Sequence, residues 1–296
     1  MKKTLFFVMV ALLATSCEKV TLDDAESEQQ EVPAKNGKKF TFTVKGDFDN
    51  PTFVMGTRAT TYLTAEENVM TDLWVFDFVG DECVQSIHQE AGDDDFGQPS
   101  MNLSLGSHHV YFVASRGDEP TLDETAKTIT WSKTKDTFWK DYEVTVVTTS
   151  NGNRAVTLDR VVTKLKVTVN DEVPSGTASI SVTPSEWYYG LNYTTGEPVG
   201  LLEDVERSVS VPANYIGTSG MLSMSVYGFS SSTEWTTDVV VNVKNAGGDV
   251  LGSAIIADAP LKRNRSTEYS GALFSVPHAF TIAVNDSWLD SSVGTW

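Results

Sequence analysis

The stretch RVVTKLKVTVN, residues 160–170, places Leu165, Val167 and Val169 on alternate positions, with Lys164, Lys166 and Thr168 between them. A period of two puts the apolar set on one face, which is the signature of a half-buried strand. The same rhythm recurs on both sides of it. Upstream, Phe40, Phe42 and Val44 alternate with Thr41, Thr43 and Lys45; Leu73, Val75 and Asp77 alternate with Trp74, Phe76 and Phe78 ahead of the turn Val79-Gly80-Asp81. Further strands are expected at 109–114, 143–149, 154–158, 178–183, 221–229, 237–244 and 279–284. Gly46-Asp47, Asp49-Asn50-Pro51, Gly117-Asp118, Pro174-Ser175-Gly176 and Gly247-Gly248-Asp249 punctuate them. Asn151-Gly152 is a hairpin signal. Helix is confined to two candidates, Ala65–Thr71 and Lys133–Tyr142. Many short strands with regular turns describe an all-β chain of antiparallel β-sandwiches. At 296 residues the chain suits two tandem sandwiches, at 38–158 and 159–296. No internal repeat of fixed period is visible.

Composition agrees and narrows the partners. Thr, Val and Ser are abundant, and 21 glycines exceed the share of a helical bundle. Forty acids against 22 basic residues give a formal charge of −18. That charge repels phosphate backbones and anionic headgroups, so nucleic acid is not an expected partner. Two cysteines without a CxxC pair provide neither a disulfide scaffold nor a zinc or redox motif.

The first residues read as an export signal. Lys2 and Lys3 precede an apolar run from Leu5 to Leu13, too short to span a bilayer, and the segment closes Ala14-Thr15-Ser16-Cys17. A small residue before a lone cysteine is the pattern of a bacterial lipoprotein signal. Residues 1–16 are then removed and Cys17 carries the acyl chains, palmitate among them. The anchor reaches outer-membrane lipid without a spanning helix. Cleavage leaves 20 basic residues against 40 acids. Residues 17–37, polar and acidic, form a flexible tether that cannot offset its ordering entropy by burial.

Chemistry-bearing motifs are sparse, and no cofactor or metal site is expected. No GxSxG is present, and Gly217-Thr218-Ser219-Gly220 misses that spacing. Cys83 follows Asp81 and Glu82, whose charges oppose thiolate formation. His108 and His109 are neighbours on a strand, so they face opposite ways and cannot chelate one metal together; His88 and His278 lie far off. Gly92-Asp93-Asp94-Asp95 lacks the spaced acids of a calcium loop and reads as an acidic hairpin tip. Trp187, Tyr188, Tyr189 and Tyr193 have two readings: a stacking platform for a glycan, or aromatic residues capping the end of a sandwich core. The second is preferred.

Several stretches together resemble the fimbrillin-like family of Bacteroidales, the subunits and anchors of type V pili, also called Mfa-like proteins. They are the signal ending at Cys17, the strand followed by Gly56-Thr57-Arg58-Ala59-Thr60, TDLWVFDFVGDECV, LDRVVTKLKVTV, and APLKRNRSTEYSGALF at 259–274. The resemblance implies two tandem transthyretin-like, Greek-key sandwiches in a cell-surface, outer-membrane lipoprotein. It also implies assembly with other pilus subunits: an arginine-specific protease removes the first strand, and a neighbour's terminal segment fills the groove. Residues 38–58 would be that strand, Arg58–Ala59 the bond cut, and residues 279–296 the donor. An uncut loop at Thr57-Arg58-Ala59 is the other reading, as in anchor members that keep their lipid. The expected function is therefore a non-enzymatic pilus component or adhesin that engages a host or bacterial surface ligand. The alternative is a surface glycan-binding lipoprotein using residues 187–193.

Overall fold

The computed structural model describes residues 37–46, 70–275 and 280–286. The first half contains β1 (Lys38–Gly46), β2 (Asp72–Val79), β3 (Glu82–Glu90), β4 (Ser100–Leu103), β5 (Gly106–Ser115), β6 (Asp118–Asp123), β7 (Thr128–Lys133), β8 (Thr137–Val146) and β9 (Asn153–Arg160). The second contains β10 (Val162–Val169), β11 (Thr177–Pro184), β12 (Glu186–Asn192), β13 (Pro198–Glu203) and β14 (Arg207–Ser210). A 3-10 turn at Ala213–Tyr215 leads on to β15 (Leu222–Phe229), β16 (Trp235–Asn245), β17 (Val250–Leu261), β18 (Ser266–Gly271) and β19 (Phe280–Asn285). The protein is all-β. Among the described residues no helix is long and apolar enough to cross a membrane.

One sheet runs β3-β2-β5-β8-β9-β1-β4, a second β19-β18-β10-β15-β12-β7-β6 with β13 beside β12, and a third β14-β11-β16-β17. Most pairs are antiparallel, but β1 lies parallel to β9 and β10 parallel to β18. In one core, Phe40, Phe42 and Val44 pack against Leu73, Val75, Val110, Phe112 and Phe138. In a second core, the strand at 162–169 delivers what its period promised: Leu165, Val167 and Val169 are sealed against Ile180, Val182, Val239, Val241 and Val243.

A third core joins the halves. The far face of β2 and β5, carrying Trp74, Phe76, Phe78 and Val113, packs on Ile129, Trp131, Leu191, Tyr193 and Phe229. Rings stack across it, Phe76 on Tyr193 at 4.0 Å and Trp131 on Phe229 at 5.0 Å between centroids. β2 is thus buried on both faces, which accounts for the apolar run Leu73–Phe76 and for Phe78 beyond Asp77. The expected boundary between residues 158 and 159 falls inside β9, and the hairpin β6–β7 from before it pairs with β12 from after it.

Two expectations need correction. Lys133–Tyr142 is not a helix: residues 134–136 turn and β8 begins at Thr137, because Phe138 and Trp139 fill cores on opposite sides of one sheet. Asn151-Gly152 does not close a tight hairpin. β9 leaves β8 after two pairs, Phe138 with Arg160 and Trp139 with Asp159, and runs beside β1 instead. Gly152 is needed there because a Cβ would strike the Lys39 carbonyl oxygen, while its own carbonyl accepts from the Thr41 amide at 2.6 Å. Residues 186–192 form a strand, and Trp187 and Tyr193 pack in cores, the reading preferred from the sequence. The helix candidate Ala65–Thr71 falls outside the described residues but for its last two.

Candidate functional site

The first strand is the feature with the clearest functional geometry. Its alternation sends Phe40 and Phe42 wholly out of water, at 0% exposure each, while Lys39, Thr43 and Lys45 face solvent. Phe42 meets Phe112 edge-on at 5.2 Å and Tyr142 at 5.9 Å; the Arg154 guanidinium covers Phe40 at 5.0 Å. The backbone is paired on both sides. Residues 41–46 run along Asn153–Leu158, and Lys38–Thr41 along Ser100–Leu103. The amides of Phe42 and Val44 donate to the carbonyls of Pro99 and Gly97 at 3.0 Å. Withdrawing β1 would leave two unpaired backbone rows and two empty aromatic pockets, a slot that another alternating strand could fill.

The opposite end of the chain supplies an edge. β19 pairs with β18 along Ser266–Gly271, and most of its side chains stand in water, Ile282 and Val284 included. Arg265 ties it down through Asp286 at 2.5 Å and also grips Glu234. Burial works against the Arg265 charge, but the two carboxylates outweigh it and hold its pKa above the ordinary value. Just before β19, Asp171 accepts the amides of Leu273, Phe274 and Ser275 at 2.7–3.1 Å. Burial pushes this carboxyl up, yet those three donors prevail and leave its pKa below the usual carboxylate value.

Cys17, Arg58 and Ala59 lie outside the described residues, as do His278 and the end of the expected donor segment beyond 286. The four aromatics of 187–193 do not form one platform, because successive residues of a strand face opposite ways. Trp187, 4% exposed, packs in the core with Leu165 and Val239, and its Nε1 donates to the Tyr227 carbonyl at 2.9 Å. Tyr193, 1% exposed, is stacked on Phe76. Tyr188 and Tyr189 are half-buried, the first edge-on to Trp235 at 5.8 Å and the second against Gly200.

The histidines separate as strand geometry requires. His108 and Asp77 are each about 1% exposed, with Nδ1 2.7 Å from Oδ1; the His108 Nε2 reaches the Ser104 carbonyl at 3.0 Å and its hydroxyl at 3.3 Å. Burial raises the Asp77 carboxyl, and the His108 hydrogen bond and charge pull it back only in part. The sequence signalled this pair solely as an acid in a hydrophobic alternation. On the other face, His109 Nδ1 lies 3.1 Å from both Asp141 oxygens, with Glu143 beside them. These three are the described residues that could hold a cation, one ligand atom each within 4.8 Å of the others. His88 stacks on Trp74 and bonds Asp72 at 2.9 Å. Cys83 is half-buried, its thiol 3.7 Å from the Gln85 carbonyl. Asp93 caps the turn after β3 by accepting the Glu90 amide at 2.8 Å.

One family model, DUF6562, a family of unknown function, matches residues 120–293. The chain belongs to that family. The match begins inside β6, so it takes in the β6–β7 hairpin together with the second half. No curated protein matches the chain in sequence. Solved structures similar to it include the tip fimbrial protein Mfa3 from Porphyromonas gingivalis with C-terminal truncation, 15% identical, covering 84% of this chain and 100% of that one, TM-score 0.45. A "putative adhesin" from Bacteroides thetaiotaomicron is 8% identical over 83% and 95%, TM-score 0.49. A structure described as "putative polysaccharide binding proteins" from the same species is 10% identical over 84% and 96%, TM-score 0.49.

Proposed function

We propose that this DUF6562 member is a lipid-anchored component of a surface fimbrium, or an adhesin built on the same plan, whose work is contact rather than catalysis. Cys17 carries the anchor to the outer membrane, and residues 17–37 hold the sandwiches away from it. The observation that carries the reading is β1: a strand paired on both sides, with two phenylalanines fully inserted, followed in the chain by the single arginine Arg58 before β2 resumes. Cutting there would free β1 to be exchanged for a neighbour's strand at little net cost in hydrogen bonds, since the slot accepts any chain of matching alternation.

The test is digestion with an arginine-specific protease, followed by N-terminal sequencing and sizing. A new terminus at Ala59 together with concentration-dependent oligomers is the expected result. A cut elsewhere, or a cut at Ala59 that yields only monomer, defeats the strand-exchange assignment. Labelling with tritiated palmitate is expected to mark the wild-type chain and to be lost in Cys17→Ala; equal labelling of both would remove the anchor.

A further inference from the structure

A cleft of about 700 Å³ opens where the two halves meet, between the turn that follows β7 and the outer faces of β10, β14 and β15. Among the described residues, five cations line it: Arg116, Lys133, Lys135, Lys164 and Arg207; Glu206 is the one acid on its wall. In a chain with 40 acids and 22 basic residues this is a marked local inversion of sign. Glu206 does not cancel it, being engaged by Lys244 at 2.6 Å, although Lys135 is itself paired with Asp118 at 2.6 Å.

Two polar atoms in the wall, the Arg116 Nε and the Thr134 hydroxyl, are buried without a partner. Thr134, 6% exposed, stands between Lys133 and Lys135 on the rim. Arg207 reaches only the Ser132 carbonyl, at 3.2 Å, and burial lowers its pKa from the ordinary value. Buried donors are rarely left unpaired, so these mark the place of an acceptor that arrives from outside. Beside them, Ser223, Ser225 and Tyr227 share one face of β15, with hydroxyls leading to an aromatic ring. Arg116 lies over that ring at 5.8 Å and Lys164 at 5.9 Å.

We propose that this cleft binds a short acidic saccharide, one bearing carboxylate or sulfate groups. The guanidinium of Arg116 offers a planar fork to such a group. The serine hydroxyls suit ring hydroxyls, and Tyr227 suits the apolar face of a pyranose. The volume falls in the range of ordinary small-ligand sites. A long nucleic acid would meet the whole-molecule charge of −18, whereas a short ligand senses mainly the local cations. The cleft does not involve β1, so the assignment stands apart from strand exchange.

The experiment is calorimetric titration of the full chain with trigalacturonate, a sulfated chondroitin tetrasaccharide, neutral maltotriose and a short poly-glutamate peptide. At least one acidic saccharide should bind, more weakly as salt is raised, while maltotriose gives no heat. Binding by trigalacturonate alone assigns a carboxylate ligand, and binding by the chondroitin fragment alone a sulfate ligand. Arg116→Gln and the surface variant Lys133→Gln should each weaken it about tenfold with unchanged near-UV circular dichroism, and Lys39→Gln on β1 should not. The proposal is overturned if neither acidic saccharide binds, if maltotriose binds as well, if Lys133→Gln has no effect, or if poly-glutamate competes equally and so identifies a peptide site.

Discussion

At the end of β9, Arg160 grips Asp136 through two bonds, Nε to Oδ1 at 2.7 Å and Nη2 to Oδ2 at 2.9 Å, with both side chains closed to water. Removing one partner of such a pair strands a buried charge, so Arg160→Met is expected to cost about 3–5 kcal/mol in urea unfolding. An unchanged midpoint would show that Asp136 finds another partner. Asp171 makes a pH prediction. Its folded pKa lies below the unfolded value, so its contribution is present above the ordinary carboxylate pKa and is lost as pH falls through the folded one. Stability should therefore drop on acidification from about pH 5 downward, and Asp171→Asn should flatten that part of the profile. Parallel acid profiles for the two proteins would contradict it.

Among the strands, β1 is the one whose loss matters most to the proposed role. Phe42→Ala deletes a ring in contact with Phe112 and Tyr142 and should destabilise the chain by about 3–5 kcal/mol. It should also speed release of β1 after proteolysis, visible as faster exchange of the Arg154–Leu158 amides. Undiminished protection of those amides would mean that β9 does not depend on β1. β17 is the contrasting case, a long edge with Ile255 73% exposed. Register shifts opposite Thr237–Val239 and Val243–Lys244, and the positive φ of 51° at Asp258, interrupt its ladder and make it a poor template for a stray strand. β8 shows why its segment misleads. KTKDTFWKDY mixes acids and bases at helix-like spacing, but Phe138 faces the first core and Trp139 the shared one, its Nε1 donating to the Tyr193 carbonyl at 2.8 Å.

Across the whole molecule, the two halves repeat one arrangement although the sequence shows no period. Each opens with a strand laid parallel to a late one, β1 on β9 and β10 on β18. The halves are not independent, because Trp131, Tyr193 and Phe229 belong to one core supplied from both sides of residue 160. A fragment comprising residues 159–296 would expose that face of β12 and β15. It should bind a hydrophobic dye and lack native near-UV circular dichroism, while a fragment beginning at Asp118, which keeps β6–β7, should be better ordered. A 159–296 fragment that unfolds with the cooperativity of the intact chain would refute the shared core.

Alternation alone determined that this chain is all-β, and it placed the inward faces of β1 and β10, because the side-chain period of a strand is fixed by the backbone. The expected lipoprotein start at Cys17 and the proposed cut at Arg58 rest on sequence patterns alone. What alternation could not say is which strand lies beside which. The parallel pairs, the β6–β7 hairpin crossing the midpoint and the burial of Trp187 and Tyr193 follow from contacts between residues far apart in the chain. So does the cleft. Arg116, Lys133, Lys164 and Arg207 are unremarkable one at a time among so many acids, and only folding, which brings three strands and a turn together, sums their charge at one place.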